Sequence, residues 1–88
     1  MPTLSMFFGI IIRMFMEKDS KHKTPHIHAI YSGHEVVVSF DGEILEGNFP
    51  ANKLKLLFAW IEIHNEELHA NWQLLMDGEP IFKIEPLK

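Results

Sequence analysis

Two dipeptides, Ser32-Gly33 and Asp41-Gly42, constrain this chain more than any other feature. They separate three runs in which side chains alternate in character: HIHAIY, HEVVVSF and EILEG. Glycine accepts the positive φ that a two-residue hairpin turn demands, so the runs are expected to form a meander of short antiparallel strands. A two-residue turn also fixes register. With Ser32-Gly33 at the tip, Tyr31 faces His34, Ile30 faces Glu35, Ala29 faces Val36, His28 faces Val37, Ile27 faces Val38 and His26 faces Ser39. Carried through Asp41-Gly42, the same rule sets Glu46 opposite Val37 and Ile44 opposite Ser39.

Because side chains alternate across a strand, this register sorts the residues into two faces. One face carries Ile27, Ala29, Val36, Val38, Phe40 and Leu45. The other carries His26, His28, Glu35, Ser39 and Glu46. The first is apolar and needs a cover.

The cover comes after Pro50, where the period changes. Leu54, Leu57, Phe58, Ile61, Leu68, Trp72 and Leu75 recur at spacings of three, four and seven, which is one stripe along a helix. Pro50 suits a first turn, and Gly78 with Pro80 behind it suits the stop. One helix from about Ala51 to Met76, roughly 39 Å long, is the expectation. It is bent if it yields at His64-Asn65-Glu66, because the stripe keeps its phase across that point. Residues 81–87 read as a last edge strand. Upstream, LSMFFGIIIRMFM reads as one buried strand. It carries Arg13, lacks a basic leader and is shorter than the roughly 20 apolar residues that span a bilayer. The expected fold is therefore α+β: a mostly antiparallel sheet of four to five strands on one long helix, in the order β-β-β-β-α-β. At 88 residues it is one domain.

Composition limits the chemistry. With no cysteine, disulfides and thiolate zinc sites are excluded, and a reducing, cytoplasmic setting fits. The net charge of −4 argues against broad nucleic-acid binding. Yet residues 1–40 carry Arg13, Lys18, Lys21 and Lys23 against Glu17, Asp19 and Glu35, so the acidic excess lies in the second half. The stretch KHKTPHIHAIY adds three histidines, His22, His26 and His28, to the less acidic half.

His26 and His28, two residues apart on one strand, put their Cβ atoms roughly 6.5–7 Å apart. Two imidazoles at that spacing can bind one divalent metal such as zinc. They can also serve as acid and base across a phosphodiester, with Arg13 or Lys23 steadying the phosphate. Ser39, Glu46 and Tyr31 complete the candidate binding residues. Histidines on a strand surface also commonly carry no chemistry at all. Trp60 and Trp72 read as packing groups. His64, between Ile61 and Leu68, reads as hydrogen-bonded and half-buried, and His69 as solvated.

The segments MPTLSMFFGIIIRMFM, TPHIHAIY, GEILEGNFP, ELHANW and GEPIFKIEPL, in this order, resemble a bacterial family known as domain of unknown function 4160. Its most specific element here is Pro25-His26-Ile27-His28-Ala29 with Tyr31. Glu46-Gly47, Trp60, His64, Leu68 and Trp72 also match. The family carries a second proline where this chain has Thr24, which frees the entry to the strand. The resemblance implies a neighbouring gene for a small protein partner, in the manner of a toxin–antitoxin module. It implies no established active site. Two functions follow as expectations. One is a cytoplasmic, toxin-like component acting on RNA without a cofactor. The other is a non-catalytic metal-binding or protein-interaction domain that uses the same histidines.

Overall fold

The computed structural model describes residues 3–16 and 24–88. Five strands form one sheet in chain order: β1 (Thr3–Phe7), β2 (Ile10–Arg13), β3 (His26–Tyr31), β4 (His34–Ser39) and β5 (Ile44–Gly47), all antiparallel. Two helices follow, α1 (Ala51–Ile63) and α2 (Asn65–Met76).

The central hairpin has the expected register at every position, from His26 opposite Ser39 to Tyr31 opposite His34. Ser32 and Gly33 both have positive φ, +44° and +81°, which is the two-residue turn that joins strands with their natural twist. The N-terminal run is two strands rather than one. Phe8 and Gly9 also have positive φ, making a second tight turn that pairs Phe7 with Ile10.

The β4–β5 link corrects another expectation. Ser39 N–H donates to Glu43 O, Gly42 N–H donates to Ser39 O, and the Ser39 hydroxyl accepts Glu43 N–H. These bonds close a wider loop over residues 40–43, and a bulge between Val37 and Val38 moves Ile44 opposite Val38 instead of Ser39. Glu46 still faces Val37.

The helices cover the apolar face. Leu57, Trp60, Ile61 and Leu68 are buried in one cluster with Ile12, Ile27, Ala29, Val36 and Val38. There are two helices, not one. His64 leaves helical geometry at φ −107° and ψ 23°. Its Nδ1–H donates to Glu67 Oε1 at 2.6 Å, and Asn65 Nδ2–H reaches Phe40 O at 2.8 Å. The break is thus held by side-chain bonds at the start of α2. It inserts one non-helical residue, too little to disturb the apolar stripe. At the far end Gly78 N–H donates to Leu75 O and Glu79 N–H to Leu74 O, with Gly78 at φ +73°, the paired bonds of a glycine-capped helix end.

The expected last strand is absent, so the order is five strands and then two helices. Pro80 and Pro86 lack the N–H groups a ladder needs. Instead the fully buried Asn71 donates to Phe82 O and accepts from Phe82 N–H. Trp60 Nε1–H donates to Glu85 O, and Ile84 N–H donates to Leu4 O. The C-terminal segment is a strap tied along the β1 edge.

Candidate functional site

The sheet face away from the helices carries a row of residues across four strands: Arg13, His28, Val37 and Glu46, each opposite the next. Arg13 therefore does share a face with His28. Among the described residues its Nε is buried without a hydrogen-bond partner. Glu35 stands two residues along β4 from Val37, the diagonal position to His28, within reach of a long side chain.

His28 is the centre of the site. Its ring is nearly enclosed, and its Nδ1 lies 3.2 Å from Glu35 Oε2. A carboxylate only accepts, so Nδ1 carries the proton, and in the neutral ring the lone pair then sits on Nε2. The Phe15 ring stacks on the imidazole at 4.4 Å between centroids and 20° between planes. Phe15 lies two residues beyond Arg13, which continues the alternation past the end of β2. Phe15, His28, Glu35, Val37, Glu46 and Gly47 line an open cleft of about 500 Å³.

Gly47 makes the cleft wall achievable. Its φ is +83°, and a Cβ there would come within 2.2 Å of the Glu35 carbonyl oxygen. No other residue allows β5 to approach β4 this closely beside the His28–Glu35 hydrogen bond.

His26 is on the same face as His28 but does different work. Its Nδ1–H donates to Thr24 O at 2.7 Å. Its ring touches the His28 ring edge to face, 5.4 Å between centroids, and lies 5.3 Å from Trp72 of α2. The two imidazoles are in contact, so the space between them is closed to a phosphodiester in this arrangement. The rings are also buried rather than displayed on an open polar face, because Phe15 covers one and Trp72 reaches the other past the strand end beside Phe40.

The remaining candidates are dispersed. Ser39 is buried, and its hydroxyl serves the β4–β5 loop. Tyr31 lies at the other end of β3, against Phe49 and under the Lys53 ammonium. Lys23 and His22 lie outside the described residues. Among the described residues no group of three or more histidines and carboxylates is placed to hold a metal ion. His64 is half-buried and hydrogen-bonded, as its place in the stripe implies. His69 is exposed but sets its ring edge-on to Phe40.

Phe15 and Val37 were not singled out by sequence reasoning, and Gly47 only as part of the Glu46-Gly47 match. Phe15 was detectable from the alternation Ile11, Arg13, Phe15, and Val37 from its register opposite His28. The close approach at Gly47 has no local signature.

A family model described as Domain of unknown function (DUF4160) matches residues 9–73. That span contains Phe15, both imidazoles, Glu35 and the whole cleft wall. No curated protein and no solved structure matches the chain. Among the described residues no helix is long and apolar enough to cross a membrane.

Proposed function

The chain belongs to the DUF4160 family, and within it we propose a cytoplasmic component of a toxin–antitoxin-like module whose working site is the His28–Glu35 pair. The reaction is metal-independent acid–base cleavage of RNA. One observation carries this reading: a carboxylate accepts Nδ1–H of an imidazole on the wall of an open cleft. That arrangement fixes the tautomer and turns the opposite nitrogen into a base of defined direction. Nε2 of His28 is enclosed at rest, so the mechanism requires its surroundings to open. Nε2 then takes the proton of a ribose 2′-hydroxyl as that oxygen attacks the neighbouring phosphorus, and the bond from phosphorus to the 5′-oxygen breaks, the leaving oxygen gaining a proton from water. Arg13, beside His28 in the row, supports the charge that develops on the phosphoryl oxygens. His26 holds the His28 ring in place by edge contact and is a positioning residue.

The test is RNA cleavage in the presence of a chelator, with His28→Ala, Glu35→Gln and Arg13→Ala alongside the parent chain. Cleavage by the parent, lost in His28→Ala and reduced about 10²-fold or more in Glu35→Gln, supports the mechanism. The rate should also depend on pH, because the base must start unprotonated and the leaving oxygen must gain a proton. A flat profile, or equal cleavage by His28→Ala, contradicts it.

A second reading rests on a different observation. Two carboxylates, Glu35 and Glu46, face the cleft, which suits a cationic occupant better than a phosphate. In this reading the site binds a protein partner, or a divalent ion through His28 and Glu46, without catalysis. A parent chain that cleaves no RNA but gains thermal stability on adding zinc or a partner selects it.

A further inference from the structure

The two edges of the sheet are finished differently. The β1 edge is covered by the strap, through Ile84 N–H to Leu4 O. The β5 edge ends the sheet, and among the described residues no backbone hydrogen bond reaches the outer side of Ile44–Gly47. An open edge offers a row of N–H and C=O groups to any extended chain, which folded proteins normally avoid.

The edge is also selective in charge. Between Lys23 and Lys53 the sequence holds no lysine or arginine, but it holds Glu35, Asp41, Glu43 and Glu46. All four are exposed, and all four lie on β4, β5 or the loop between them. A second copy of this chain would bring carboxylates against carboxylates, which opposes self-pairing. Ile44, 44% exposed, gives the edge an apolar contact. The cleft beside it, with Phe15 and Val37 inside and Glu35 and Glu46 at its wall, can receive a long side chain.

We propose that β5 is the docking edge for an extended basic segment of a protein partner, which adds as a sixth strand. Main-chain bonds supply affinity, and alternate lysine or arginine side chains lie along the acidic surface of β4, β5 and their loop, one of them entering the cleft. This names the surface and the chemistry for the partner in the reading above. It rests on that reading only for the consequence that a docked strand blocks access to His28. The bulge between Val37 and Val38 and the four-residue length of β5 confine pairing to a short register.

The test uses the full chain, labelled with ¹⁵N, and a capped nonapeptide alternating lysine with valine. Expected are amide shifts centred on residues 44–47. Placing proline at the centre of the peptide should weaken binding about tenfold or more, since it removes a ladder donor. Glu43→Lys with Glu46→Lys, checked for folding by circular dichroism, should weaken it comparably. Shifts centred on β1 or the helices overturn the proposal. So does equal binding of the proline peptide, or no shift at about 1 mM peptide. Binding is read independently of RNA cleavage, so failure of one leaves the other to be judged separately.

Discussion

Replacing Gly47 by alanine tests the close approach of β5 to β4 that forms the cleft wall. Two costs add there. The first is conformational: φ is +83°, where an L side chain costs about 1–2 kcal/mol. The second is steric: the new Cβ would lie 2.2 Å from Glu35 O and 3.2 Å from Val36 Cα. Both are backbone atoms of a paired strand, so relief requires moving β4 or β5, at about 1–3 kcal/mol. The sum is roughly 2–5 kcal/mol, against a total of roughly 4–13 kcal/mol for a domain of this size. At about 4–8 °C per kcal/mol, Tm should fall by roughly 8–40 °C. Gly42 provides the internal control. It has the same φ, +83°, but a Cβ there meets nothing within 4 Å. Gly42→Ala should therefore lose only the first cost, roughly 1–2 kcal/mol. Urea denaturation of both variants, with unchanged m-value, separates the two contributions. Equal losses in the two variants would refute the steric argument and with it the tight wall beside Glu35.

Ser32→Asn should raise stability by about 0.5–1 kcal/mol, because Ser32 holds φ +44° and asparagine before glycine suits this turn; a drop in Tm would contradict the turn assignment. Asn71→Ala should cost about 2–3 kcal/mol by removing both bonds to Phe82. Its hydrogen-exchange signature is faster exchange at Ile84 with β3 and β4 little changed, and uniform acceleration would show that the strap is not a separate unit. Phe15→Leu keeps apolar bulk but removes the flat ring stacked on His28. If RNA cleavage is observed, its kcat should fall about tenfold through a looser imidazole, and an unchanged kcat would remove Phe15 from the site.

The parts of this molecule that follow from local rules were legible in the sequence. Ser32-Gly33 set the central register, and that register put His26, His28 and Glu35 on one face and Ile27, Ala29, Val36 and Val38 under the helices. Gly78 marked the helix end by its own positive φ. What escaped was set by tertiary bonds. The break at His64 depends on Glu67 and on Asn65 reaching Phe40, and a one-residue interruption leaves the apolar period intact. The strap depends on Asn71, 11 positions before Phe82, which alternation cannot reveal. The turn at Phe8-Gly9 was hidden because a bulky phenylalanine rarely takes positive φ. At the site, period two placed the imidazoles on their face. It could not show that Phe15 and Trp72 would enclose them, because both rings arrive from outside the hairpin.

The proposed site requires His28 to lie away from the helices, between Phe15 and Glu35. The most direct check is a set of nuclear Overhauser contacts from the His28 ring protons in the full chain. The structure predicts strong contacts to the Phe15 ring and to the His26 ring, and none to Leu57 or Val36. Contacts from His28 to Leu57 or Val36 would place its ring in the core and contradict the account.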